Sequence, residues 1–282
     1  MTTPARAPDS SVAAFYDLRG ESILRAGRAT FAARFHHPLG RASRQFIESV
    51  LPPAQEGAKL LDLCCGAGAF SIHPAKNGYQ VFGVDISPKS ITAAREEAKR
   101  NQVDQACHFE AGDAVAALRS ATSVFDVITI CGSLYYLDRQ QVMPLIVGKL
   151  AYGGTFLCLE TNGSNALMNL YRYLRNLFQR KRRDQQTLHC LLRRQEILEI
   201  PRHFDDTEIR YFDFLTLLTP LLRWNNRLAG YFYAFARRLD EFLLNRAGLN
   251  ALAFKVVIVG KKSSTSVRKN GSASREKCPT QP

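Results

Sequence analysis

Two glycines, Gly66 and Gly68, stand about twenty residues ahead of an acidic residue, Asp85, and that spacing suits a nucleoside-bearing ligand. Neither glycine carries a Cβ, so the backbone can turn sharply there and lie against a ligand. A carboxylate about twenty residues on suits the paired hydroxyls of a ribose. The dinucleotide fingerprint needs a third glycine, and here the run is Gly66-Ala67-Gly68-Ala69-Phe70-Ser71, so a plain nicotinamide site is the weaker reading. Proton-transfer candidates are few. Glu160 closes an apolar run, His36 and His37 stand side by side on a loop of the N-terminal stretch, and His189 lies in the second half. Each is a conceivable base, although a strand-end carboxylate and solvated histidines explain them equally well. The seven cysteines form no C-x-x-C pair. Several fall in predicted strands, where cysteine acts as a small hydrophobe, and the expectation is a reduced, cytoplasmic protein without structural zinc.

The elements that must hold these residues follow from the hydrophobic pattern. Leu60, Leu61 and Leu63 make a short apolar run suited to a strand buried on both faces. Ala69 to Lys76 is helical in character, Gly78 is a helix stop, and Tyr79 to Val84 forms the next strand. Asp85 therefore sits at a strand's carboxyl end, where open α/β sheets bind ligands. Ser87 caps a helix that begins at Pro88 and runs to about Asn101. Further strands are predicted at Ala106 to Ala111, Phe125 to Cys131 and Thr155 to Glu160, with a helix over Gln140 to Leu150. Five rounds of strand and helix give a doubly wound sheet. A sixth strand follows at Thr207 to Phe214 and a last one at Leu252 to Val259.

The D-x-x-C-G-x-G run of Asp62 to Gly68, taken with the Gly83-Val84-Asp85-Ile86-Ser87 run, resembles class I S-adenosylmethionine-dependent methyltransferases. The resemblance implies a mostly parallel, seven-stranded Rossmann-like α/β sheet with an N-terminal helical cover. A helical insertion precedes the last strand. It implies S-adenosyl-L-methionine as cofactor, with Asp62, Gly66, Gly68, Asp85, Ile86, Asp113, Ala114 and Cys131 in its site. Asp113 would meet the adenine amino group, although as a helix N-cap it has a sufficient structural role. The Gly132 to Leu137 segment would line the methyl-transfer centre, with Tyr135 and Tyr136 as substrate contacts or plain packing. The chain departs from the family at Cys64, where glycine is usual, so Cys64 is assigned no binding role.

The organisation expected is a disordered start (1–11), a methyltransferase domain (12–260) and a disordered basic tail (261–282). Within the domain lie a helical cover broken by Gly20, Gly27, Pro38 and Gly40 (12–52), a basic helical segment (166–200) and a helical insert (215–250). No apolar run follows a basic N-terminal stretch, so no secretory signal is expected. No segment has the ~20 apolar residues of a membrane-spanning helix.

Charge separates the two halves. Residues 1–160 carry 16 Lys and Arg against 15 Asp and Glu, whereas residues 161–282 carry 22 against 10. A basic second half suggests an anionic partner. Its helices also carry apolar faces: Leu167, Leu170, Tyr171, Leu174, Leu177 and Phe178 in one, Leu228, Tyr231, Phe232, Phe235, Leu239, Phe242 and Leu243 in another. These considerations order the acceptors. A small-molecule or lipid-like acceptor, with peripheral contact to an anionic membrane, comes first. RNA comes second, since no nucleic-acid module is recognisable. A nicotinamide-dependent oxidoreductase or an inactive cofactor-binding module comes last.

Overall fold

A computed structural model describes residues 10–35, 40–179, 191–222 and 224–263 of the chain. Seven strands form one sheet: β1 (Lys59–Leu63), β2 (Gln80–Asp85), β3 (Cys107–Ala111), β4 (Phe125–Cys131), β5 (Leu150–Thr161), β6 (Asp206–Phe212) and β7 (Lys255–Lys261). Their spatial order is 3-2-1-4-5-7-6. Strands β1 to β5 pair in parallel, while β7 runs antiparallel between β5 and β6. The expected, mostly parallel sheet is present, with β7 as its reversed strand. The reversal has a simple cause. The segment after β6 leaves the carboxyl edge and returns at that edge, so the next strand must run backwards.

The alternation of strand and helix follows from burial. Leu60, Val127, Leu157 and Val257 face one core layer, and Leu61, Ile128, Phe156 and Ile258 face the other. Helices α2 (Arg41–Val50), α3 (Ile72–Lys76) and α4 (Pro88–Arg100) cover the first layer, with Ile47, Ile72 and Ile91 buried in it. Helices α5 (Ala114–Ser120), α6 (Arg139–Lys149) and α8 (Arg194–Glu199) cover the second with Leu118, Ile146 and Ile197. Between α6 and α8 lies α7 (Ala166–Gln179), and α9 (Asn226–Asn245) forms most of the insertion. No helix among the described residues is long and apolar enough to cross a membrane.

Three local expectations need correcting. The helix after β1 begins at Ile72 rather than Ala69, because the glycine-rich turn extends through Ser71. The first part of the insertion, Leu215–Leu222, is a 3-10 helix rather than an arm of an α-helical hairpin. The N-terminal cover is not broken at Gly20 or Gly27, since α1 (Ser10–Phe35) is one continuous helix. Gly20 serves packing instead. A Cβ placed on it would stand 2.7 Å from the Lys89 carbonyl carbon and the Ser90 nitrogen, so its lack of a side chain lets α1 press against the first turn of α4. Of the ends expected to be disordered, 1–11 and 261–282, Ser10 and Ser11 instead begin α1 and Lys261 ends β7, while 1–9 and 264–282 fall outside the described residues.

Gly20→Val tests this contact. Valine is almost as poor a helix former as glycine, so the change isolates the steric effect. Overpacking should weaken α1 docking by about 1–3 kcal/mol. Amides of residues 12–25 should then exchange about 5- to 150-fold faster, while sheet amides keep their protection.

Candidate functional site

The turn after β1 is shaped by three left-handed residues, Cys64 (φ 55°), Gly66 (φ 54°) and Gly68 (φ 76°). A non-glycine residue is uncommon there, so Cys64 holds at some strain a conformation that glycine adopts freely. Burial and the surrounding carboxylates push its thiol well above the usual range. The turn is held from two sides. Gly66 N donates to Asp85 Oδ2 at 2.8 Å, and Ser87 N donates to Asp85 Oδ1 at 2.9 Å. Beneath it, Ser71 Oγ and Thr129 Oγ1 donate to the two oxygens of Asp62 at 2.6 and 2.8 Å. Asp62 is 1% exposed, and burial pushes its carboxyl up to about 6. Its geometry is that of an internal brace between β1, the turn and β4. A ligand role for Asp62 would require one of these bonds to be exchanged.

Gly66 and Gly68 serve different ends. At Gly66 a Cβ would project into open space, as it would at Gly132 (φ 74°) after β4. At Gly68 it would meet Ala94 Cβ and Phe109 Cζ, both at 3.3 Å. The expected close approach to a ligand thus fits Gly66, while Gly68 brings the turn against α4 and β3. Asp85 lies at the β2 end, 6% exposed, with its carboxyl raised by burial. Ile86 beside it is half-buried. Asp113 caps α5 through Oδ1, which accepts from Ala116 N at 2.8 Å, and Ala114 is buried behind it. Cys131 ends β4, so the predicted site residues gather at the carboxyl ends of β1 to β4, with Asp62 as the buried brace beneath the others.

α1 roofs this edge. Asp17 Oδ1 accepts from Ser87 Oγ at 2.6 Å and from Lys89 N at 3.3 Å. Tyr16 meets the Tyr136 ring edge-on at 6.3 Å, and Tyr136 lies 4.3 Å from Tyr135. Burial raises the phenols of Tyr16 and Tyr135. Tyr16 was not legible as a site residue because its place depends on the docking of α1.

A second polar cluster lies beside the first. Glu160, at the β5 end, is fully buried. Its Oε1 accepts from Ser133 N at 2.9 Å and Leu134 N at 2.6 Å, while Oε2 has no partner. Burial pushes this carboxyl up to about 7, against the pull of the Ser133 and Leu134 amides and of Lys255. Lys255 opens β7, donates to Thr161 Oγ1 at 2.9 Å and lies over the Phe254 ring. Burial lowers its ammonium, while Glu160 and Asp213 oppose that shift. Asp213 (φ 63°) accepts from Thr216 Oγ1 at 3.2 Å, leaves Oδ2 without a partner and is pushed up to about 6 by burial. Thr219 Oγ1 and Tyr233 OH are also buried without a partner. Unpaired buried polar atoms are rare, and these four belong to residues at the carboxyl ends of β5 and β6, the 3-10 helix and α9. Sequence reasoning named only Glu160. The signal for the others was a charge set in an apolar run, as in Ala253-Phe254-Lys255-Val256 and Phe212-Asp213-Phe214. His36, His37 and His189 lie outside the described residues.

A sheet in this order, with a glycine turn facing an acidic β2 end, is the class I Rossmann-like methyltransferase arrangement. A family described as a methyltransferase domain matches residues 54–213, more than half of the chain, and the chain belongs to that family. This removes the support for a nicotinamide enzyme. A demethylmenaquinone methyltransferase of Leptospira interrogans is 33% identical over 104 residues, covering 36% of this chain and 42% of that protein. A ribosomal protein L11 methyltransferase of Thiobacillus denitrificans is 31% identical over 122 residues, covering 43% and 37%. The chain spans 22% to 42% of the length of the first curated relatives it matches. Among solved structures, geranyl diphosphate C-methyltransferase from Streptomyces coelicolor superposes with a TM-score of 0.57 at 15% identity, over 92% of this chain and all of that one. That likeness concerns the fold.

Three buried carboxyls raised to about 6–7 have a consequence for the ligand-free protein. Between the unfolded values near 4 and these raised values, the folded state holds more protons than the unfolded state, so stability falls as pH rises from about 4 to 7. Each group contributes on the order of 2 kcal/mol. Urea midpoints across that range should decline, and Glu160→Gln or Asp213→Asn should each flatten the curve.

Proposed function

We propose that this chain transfers a methyl group from S-adenosylmethionine to a small-molecule or lipid-like acceptor. The observation that carries the reading is the adjacency of two sites at one sheet edge. One is the open turn held by Asp85. The other is the buried cluster in which Glu160 Oε2 and Asp213 Oδ2 await hydrogen-bond donors. In the first, Asp85 would take ribose hydroxyls, Asp113 the adenine amino group with its free carboxylate oxygen, and Gly66 and Gly132 would leave space for the ligand. Ile86, Ala114 and Cys131 would form apolar walls. Bound there, S-adenosylmethionine supplies an activated methyl carbon on sulfur. The protein then contributes chiefly alignment, a term of about 7–11 kcal/mol when geometry is right.

The second cluster selects the acceptor. Its unpaired acceptor oxygens favour a nucleophile that bears a proton, a hydroxyl or an amine. Glu160 is held in place by two backbone amides on Oε1, which leaves Oε2 free to take that proton. Lys255 would stabilise the carboxylate once deprotonated. A carboxyl near 7 is well matched to accept a proton at neutral pH. The aromatic trio of Tyr16, Tyr135 and Tyr136 would separate the two sites from water. An RNA acceptor is the second reading, supported by the basic second half and by relatives named as ribosomal RNA methyltransferases. Nucleic acid that co-purifies and is methylated would favour it over the first.

Two measurements test the scheme. Asp85→Ala should weaken S-adenosylmethionine binding in calorimetry by roughly 10- to 150-fold, since a hydrogen bond to a charged group contributes roughly 1.5–3 kcal/mol. An unchanged affinity in a folded variant would refute the assignment. Glu160→Gln keeps an oxygen for the Ser133 and Leu134 amides but has no base. With an acceptor found by metabolite profiling, wild-type kcat/KM should rise with pH through about 7 as Glu160 deprotonates. The variant should be slower by about 10²–10⁴ and lose that rise.

A further inference from the structure

Three elements of the second half are turned inside out. α7 is pinned to the body by its polar side. Asn165 Nδ2 donates to the Leu252 and Ala253 carbonyls, Asn169 Nδ2 donates to the Gly163 carbonyl, and Arg172 lies over the Phe254 ring. Its opposite face carries Leu167, Leu170 and Leu174, exposed by 59, 54 and 44%. The 3-10 helix buries Thr216 and Thr219 while Leu218 and Leu221 stand out. α9 buries Ala236, Asp240 and Leu244, leaving Tyr231, Phe235 and Phe242 exposed on the far side. Exposed Arg227 and Arg238 share that outer stripe, at helical spacing from Tyr231 and Phe242. A surface helix in water ordinarily shows the reverse pattern. Scattered exposed apolar residues need no explanation, but apolar stripes that run along whole helix faces, edged by charge, mark an interaction surface. Before residue 160, the described exposed large apolar side chains are only Leu18, Val124 and Tyr152.

We propose that this surface docks on an anionic lipid bilayer. The chemistry favours that occupant on three grounds. The half of the chain that carries these elements holds 22 Lys and Arg against 10 Asp and Glu, so two copies facing one another would repel, whereas anionic headgroups attract it. The outer stripes combine leucine with aromatics and arginine, which suits burial at the acyl boundary with arginines reaching up to the headgroups. A single-stranded nucleic acid could stack on the aromatics but would leave Leu167, Leu170, Leu174, Leu218 and Leu221 in water, whereas a bilayer buries both kinds. The chain's own neighbouring segments do not match the surface either, since 180–190 and 264–282 hold only Leu188 and Val267 as branched aliphatics. The surface also adjoins the acceptor cluster: α7 is tied to the carbonyls just ahead of Lys255, and Tyr233 and Thr219 lie on the inner sides of the same elements. The inference rests on the proposed acceptor site only for its purpose. A hydrophobic acceptor would pass from bilayer to Glu160 without crossing water.

Co-sedimentation of the full chain with vesicles is the test. One set is phosphatidylcholine, and the other is equal parts phosphatidylcholine and phosphatidylglycerol. The protein should pellet with the anionic vesicles, and added salt should weaken binding. Arg227→Gln with Arg238→Gln should lower the partition coefficient about 30-fold at low salt. Leu170→Gln with Leu174→Gln should lower it at least about tenfold, since leucines buried in the acyl boundary carry much of the binding. Heats of S-adenosylmethionine binding should be unchanged in both variants, which separates loss of docking from loss of fold. Negligible pelleting with either vesicle overturns the proposal. So does a wild-type dimer that the leucine variant dissociates, because the face then belongs to a second copy. So does binding that disappears once co-purifying nucleic acid is removed. A wild-type protein that binds vesicles but gives no S-adenosylmethionine heat leaves the docking intact and overturns the cofactor reading alone.

Discussion

The bond from the Gly66 amide to Asp85 organises the site edge of this protein. It ties the turn after β1 to the end of β2, and the same carboxylate reaches the Ser87 amide at the start of α4. Ser87 in turn donates to Asp17 on α1. One buried carboxylate thus links the turn, a helix start and the roof in a chain of short hydrogen bonds. Within the low-dielectric interior such bonds are strong and an unpaired partner is expensive, so the geometry of the whole edge depends on Asp85 keeping its position. A ligand that takes part of that carboxylate's hydrogen-bonding capacity will be felt at α1.

Much of the first half could be read from sequence because its logic is local. Runs such as Leu60-Leu61 and Val127-Ile128 need burial on both faces, and Gly66, Ser87-Pro88 and Asp113 punctuate the chain with turn and cap chemistry that short stretches determine. The second half was harder because its logic is tertiary. Helical periodicity in α7 and α9 was visible, but periodicity cannot say which face looks inward. Asn165 and Arg172 find carbonyls and a ring only once β7 has brought Leu252 to Phe254 alongside. Gly20 shows the same limit: read as punctuation, it proves to be a contact, since helix breaking and close helix approach ask for the same residue.

The inverted helices and the buried polar cluster are two sides of one arrangement. Thr216, Thr219 and Asp240, with the Tyr233 hydroxyl, furnish a hydrogen-bonding interior, while Leu218, Leu221, Phe235 and Phe242 of the same elements face out. Asp240 shows how such an interior is kept rigid, for it accepts from the amides of Phe214, Leu215 and Thr216 together. A hydrogen-bonding interior is thus built from helices that would otherwise have filled it with leucine.

The reversed strand β7 has a consequence for what the fold can tolerate. β6 and β7 pair over seven residues from Asp206–Lys261 to Phe212–Lys255, so the excursion between them begins and ends at neighbouring points of one ladder. Closing a longer excursion between fixed ends costs little, about 0.6 kcal/mol per doubling of its length. The insertion can therefore lengthen, shorten or be exchanged without asking the five parallel strands to adjust. The sheet is the floor on which the edge is built, and the excursion is the part whose length can change without disturbing that floor.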